Sequence, residues 1–144
     1  MKQIGVVTDQ GARDSQEDRY TVIPSLAEIF PETVIDRIAY FAVFDGHEGA
    51  ACAEFIRCYL HGHIVRHEAF CSDIRRALHE GFAAADRQFL GPPIPAEDPL
   101  SLQYTSGCTG VVALVNYTRY AESFILSVYT CYVILCLSCD GSSG

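Results

Sequence analysis

Positive charge is what this sequence has least of. Its 144 residues carry ten Lys and Arg against eighteen Asp and Glu, a formal charge of -8. Nucleic-acid binding relies on clustered basic side chains to neutralise phosphates, so DNA and RNA are not expected partners. The N-terminus lacks an apolar run before a small-residue cleavage site, and only Lys2 is basic there. No signal peptide is therefore predicted. Gly5 is not in the position that N-myristoylation requires. The seven cysteines are odd in number and irregularly spaced. They read as reduced thiols of a cytoplasmic protein rather than a disulfide framework. No internal repeat is visible. With 49% hydrophobic residues, the composition allows one domain with a sizeable core.

What is there falls into strands and helices. Ile4 to Thr8 reads as a short strand, and Arg19 to Ile23 as another. Ala27 to Phe30 has the makings of a helical turn. Ile38 to Phe44 is apolar on both faces, the pattern of a central strand, and is expected to end at Asp45-Gly46-His47-Glu48-Gly49. A helix follows from near Ala50 to about Val65, with Phe55, Tyr59 and Leu60 on one face beside Ala51 and Cys52. A second helix opens at Ser72 as N-cap, with Asp73 next to it. Its stripe is Ile74, Ala77, Leu78, Phe82, Ala85 and Phe89, and Gly91-Pro92-Pro93 stops it. Thr109 to Tyr117 is a further strand. Strands, then helices, then strands predict an α+β fold with helices on one sheet face.

Two acidic clusters carry the chemistry. One is Gly11-Ala12-Arg13-Asp14-Ser15-Gln16-Glu17-Asp18; the other is Phe44-Asp45-Gly46-His47. Hard divalent cations such as Mg²⁺ and Mn²⁺ take carboxylate and carbonyl oxygens. A strand-end Asp-Gly offers both kinds, with Gly46 letting the backbone turn and expose its carbonyl.

The string GxRxxxED, a hydrophobic strand ending in FDGH, and SGCTGVV together resemble the metal-dependent PPM-type (type 2C) serine/threonine protein phosphatases over roughly residues 4 to 117. That resemblance implies the N-terminal part of a four-layer α-β-β-α sandwich with mainly antiparallel sheets. It implies two Mg²⁺ or Mn²⁺ ions and a phosphoprotein substrate. Asp45 would bridge the metals, Gly46 would offer its carbonyl, and Glu17 and Asp18 would hold metal directly or through water. Arg13 would grip the substrate phosphate, where a planar guanidinium can bond two oxygens. His47 would protonate the leaving alcohol. Ser106-Gly107-Cys108-Thr109 matches a structural turn, with Cys108 where the family usually has Ser. Glu48 replaces a small residue after the His. It would bind metal, raise the pKa of His47, or be an exposed turn residue.

The family domain is longer than this chain, and two further aspartates from its later half complete the metal site. The sequence thus predicts a partial phosphatase domain over 1–118 and a divergent apolar tail over 119–144, with weak or absent activity. A non-catalytic phosphoprotein-binding module is the alternative. Asp140, in a strand-like run ending Asp-Gly, is a further metal candidate. Ser123 to Cys139 has no charged residue. It reads as a buried hairpin, as the product of truncation or an altered reading frame, or as a membrane anchor at the lower limit of the about 17–25 residues that cross a bilayer. A cytoplasmic location is expected, with the nucleus or a membrane tether as alternatives. His61, His63 and His67 form an HxHxxxH cluster, and Cys136 and Cys139 a CxxC. The histidines read as the end of a family helix, and the cysteines lack a second ligand pair.

Overall fold

Side-chain alternation along one strand sets the architecture. In β2 (Ile38–His47), Tyr40, Ala42 and Phe44 are buried, whereas Val43, Asp45 and His47 are exposed. Successive residues point to opposite faces of a sheet, so one face meets the core and the other does not. The computed structural model describes residues 4–33, 37–91, 106–116 and 129–132. In these, β1 (Arg19–Ile23), β2, β3 (Gly107–Asn116) and β4 (Tyr129–Tyr132) form one antiparallel sheet in the order β1-β2-β3-β4. The register runs Arg19 opposite Phe44, Phe44 opposite Gly110, and Thr109 opposite Tyr132.

A short helix, α1 (Leu26–Ile29), links β1 to β2. Two longer ones, α2 (Ala51–Val65) and α3 (Ile74–Leu90), stand between β2 and β3 in the chain. Their buried faces join Phe44, Tyr40 and Val112 in one core. Each large apolar side chain buried there contributes about 1.5–3 kcal/mol. The helices touch at Gly81, where a Cβ would stand 2.6 Å from Ile64 Cγ1. A side chain there would force α3 away from α2. The fold is thus α+β, as predicted. The described residues supply a helical layer and a sheet, two of the four expected layers.

Several local expectations need correction. Ile4 to Thr8 is not a strand: among the described residues, no strand pairs with it in a hydrogen-bonded ladder. It lies instead beside the open face, where Ile4 and Val6 line an apolar hollow with Tyr20, Phe41 and Val43. β2 does not end at Phe44. It continues through Asp45, Gly46 and His47, which pair with Thr109, Cys108 and Gly107. The chain turns one residue later, at Glu48 (φ 55°) and Gly49 (φ 109°). In α2 the buried stripe is Cys52, Ala53, Ile56, Leu60 and Ile64, while Ala51 and Tyr59 are exposed. Of the predicted face, Cys52 and Leu60 are buried and Phe55 packs against the core; apolar residues surround most of that helix, so spacing alone did not exclude Ala51 and Tyr59. The α3 cap is Asp73, whose carboxylate accepts from Arg76 N at 3.1 Å; Ser72 precedes it.

Candidate functional site

The site begins with the strand register. β1 runs antiparallel to β2 with Arg19 opposite Phe44. Extending that register back along the chain brings Asp18 level with Asp45, and Glu17 level with Gly46. The backbone confirms the approach: a Cβ on Gly46 would lie 2.4 Å from the Glu17 carbonyl oxygen. Gly46 is therefore needed for close passage of the preceding segment rather than for a turn.

That segment is folded tightly on itself. Asp9 Oδ1 accepts from Gly11 N at 2.8 Å, and Gln10 Nε2 donates to the Arg13 carbonyl at 2.8 Å. Ser15 Oγ donates to Glu17 Oε1 at 3.1 Å, and Asp18 N donates to Gln16 Oε1 at 3.1 Å. The result is a polar hollow of about 470 Å³ lined by Arg13, Glu17, Asp18, Asp45 and Gly46, together with Asp9, Gln10, Asp14, Ser15 and Gln16. Five of the predicted site residues therefore meet in one place. His47 lies on the same face of β2 as Asp45, two residues on, but outside the lining of the hollow. Asp140 lies outside the described residues, as do most of 119–144 and the CxxC cysteines.

The hollow is strongly electronegative, with five carboxylates against the single guanidinium of Arg13. Such a field gathers cations and repels a free phosphate. Its donors are hard oxygens, the kind Mg²⁺ and Mn²⁺ prefer. They fit such an ion in chemistry. Their placement falls short, because among the described residues no group of three His, Cys, Asp or Glu side chains converges as a metal site.

Asp9 and Gln10 were missed from sequence. Their signal was the Asp-x-Gly turn at Asp9, which curls the segment back over the hollow. The histidine cluster disperses. His61 is inserted between Phe30 and Tyr40, and burial lowers its pKa. His63 meets Gln88 at 2.6 Å and His67 meets Glu80 at 2.7 Å. Burial also raises the Tyr40 phenol, whose Oη finds no hydrogen-bond partner among the described residues.

Behind the hollow the sheet is pinned to α2. Ser106 Oγ, buried, accepts from Cys52 N at 3.1 Å. It caps a helix whose own N-cap, Ala50, has no side chain for the task. Cys108 packs its sulfur 3.5 Å from that of Cys52. Their shared hydrogen bond lowers the Cys52 thiol and raises that of Cys108.

Comparison with known proteins now decides the family. The profile described as Protein phosphatase 2C matches residues 2–140. The chain belongs to the protein phosphatase 2C family. Protein phosphatase 2C homolog 2 of Aspergillus flavus is 35% identical over 119 residues, covering 78% of this chain and 26% of that protein. Human Protein phosphatase 1F is 33% identical over 106 residues, covering 74% of this chain and 22% of that protein. The chain thus spans about a quarter of the length of the curated relatives it matches. In fold, it is similar to a solved C. elegans sex determining protein, with TM-score 0.53, 21% identity, and coverage of 74% of this chain and 25% of that one. The PPM-type resemblance read from the motifs is therefore correct, and the α+β fold agrees with it.

Proposed function

We propose that this protein phosphatase 2C chain carries the cation- and phosphate-binding part of a serine/threonine protein phosphatase site. The observation that supports it is the meeting of Arg13, Glu17, Asp18, Asp45 and Gly46 around one hollow. Asp45, the Gly46 carbonyl, Glu17 and Asp18 would hold Mg²⁺ or Mn²⁺. When bound, such ions supply Lewis-acid stabilisation of phosphoryl oxygens and an acidified water.

The chain's own residues do the rest. The carboxylates repel an incoming phosphate until their charge is neutralised, so cation binding precedes substrate. Arg13 makes no ion pair among the described residues. Its guanidinium is free to fork onto two phosphate oxygens of a phosphoserine or phosphothreonine side chain. His47, on the Asp45 face of β2, would reach the leaving alkoxide and donate its proton.

The incomplete convergence of carboxylates gives one point to the alternative, a phosphoprotein-binding module without turnover. The charge of the hollow counts against it, since metal-free capture would place a phosphate among five carboxylates. Calorimetry of the chain with Mn²⁺, followed by a phosphothreonine peptide, tests both. Weak turnover that needs Mn²⁺ and disappears in Asp45→Ala is the expected result. Peptide binding that needs no divalent ion and survives Asp45→Asn would select the module instead.

A further inference from the structure

Arg19 follows the acidic pair directly, yet alternation sends its side chain to the other face of the sheet. It is the partner of Phe44, whose ring is buried toward the helices. On that side Arg19 Nε donates to Glu54 Oε2 of α2 at 2.9 Å. The same guanidinium turns back to the loop. Nη1 donates to the Gln16 carbonyl at 2.9 Å and to the Asp18 carbonyl at 2.8 Å. Glu54 is itself fixed. Arg57, one turn on, donates from Nε to both its carboxylate oxygens at 3.1 Å, with a further contact from Nη2. These bonds, Arg57's before Arg19's, hold the Glu54 carboxyl down at about 2. It is therefore ionised at neutral pH.

The two carbonyls that Arg19 holds flank Glu17. Gly46 closes the other side, against the Glu17 backbone. Glu17 is thus pressed between a strand end and a guanidinium, and Asp18 is fixed through its own carbonyl. A planar fork with several fixed donors can do this; an ammonium on a flexible stem cannot hold the same three acceptors in one plane.

We propose that Arg19 is a positioning residue for the Glu17–Asp18 pair, clasped by Glu54 and hung between the Gln16 and Asp18 carbonyls so that the backbone bearing both carboxylates is fixed beside the end of β2. This rests on the reading of the hollow as a cation site. It implies that α2, through Glu54, sets the geometry of the acidic loop without touching substrate. Groups that orient metal ligands in this way typically govern affinity by about 10–100-fold when removed.

The test uses the full chain and Mn²⁺ alone as the probe. Mn²⁺ affinity is measured by electron paramagnetic resonance for the parent, Asp45→Ala, Arg19→Ala, Arg19→Lys and Glu54→Gln. Amide exchange of Glu17 and Asp18 and the melting temperature are measured alongside. Arg19→Ala should weaken Mn²⁺ binding by about tenfold and speed exchange at Glu17 and Asp18. Arg19→Lys and Glu54→Gln, both milder changes to the fold, should fall between it and the parent. Unchanged affinity and exchange in folded Arg19→Lys and Glu54→Gln, with binding still lost in Asp45→Ala, would overturn the role of Arg19 alone. Mn²⁺ binding absent from the parent, or indifferent to Asp45→Ala, would overturn the cation site and this inference with it.

Discussion

At the scale of single residues, the contact that matters most is one that excludes a side chain. Gly46 lets the Glu17 carbonyl approach to where a Cβ would sit, 2.4 Å away. Gly46→Ala must therefore push the acidic loop off β2, because backbone cannot swing aside as a side-chain tip can. We expect a stability loss of about 1–3 kcal/mol and loss of Mn²⁺ binding, checked by thermal melts and by titration. Glu48 is the converse case. It occupies a left-handed conformation, φ 55°, that costs a residue with a Cβ about 1–2 kcal/mol. Glu48→Gly relieves this but loosens the unfolded chain, so a net gain of about 0.5–1 kcal/mol is expected in urea denaturation. A loss would instead show that the Glu48 carboxylate makes a stabilising contact. The motif residues Arg13, Glu17, Asp18 and Asp45 were legible because their chemistry is written in their side chains. Gly46 was legible in identity but not in purpose. Its neighbour across space, the Glu17 backbone, is 29 positions away in sequence and leaves no trace in the local pattern.

At the scale of elements, β2 and α3 were the most readable. Ile38 to Phe44 is a run of apolar residues that only a central strand accommodates, and the α3 stripe repeats at helical spacing. Ends were harder. The extension of β2 through His47 depends on β3 pairing with it, and the position of a pairing partner is not a property of the strand itself. The same reason explains Ile4 to Thr8, whose composition suits a strand but which finds no ladder among the described residues. The start of α2 is another non-local feature. Its cap is Ser106, which reaches Cys52 N across a separation of 54 residues. Ser106→Ala should leave that buried N–H without an acceptor and cost about 1–2 kcal/mol. Chemical denaturation measures the cost, and faster amide exchange at Cys52 would assign it to the cap. A neutral substitution would show that another group closes the helix start.

At the scale of the whole molecule, the sheet divides two kinds of environment. Helices α2 and α3 bury one face, packing Tyr40, Ala42 and Phe44 of β2 into the core. The other face carries Tyr20, Val43 and Val111, all partly exposed, and ends at the acidic hollow. No described helix is long and apolar enough to cross a membrane. The overall charge of -8 and the five carboxylates around one guanidinium point the same way: the field at the hollow favours cations over a free phosphate. The central claim is that the segment before β1 and the end of β2 make one cation-binding surface. Paramagnetic broadening by Mn²⁺ in a ¹H–¹⁵N spectrum of the full chain tests it most directly. Amides of Arg13, Glu17, Asp18, Asp45 and Gly46 should broaden together at the lowest Mn²⁺ concentrations, while those around His63 and His67 stay sharp. Early broadening at the histidines, or at only one of the two acidic segments, would contradict it.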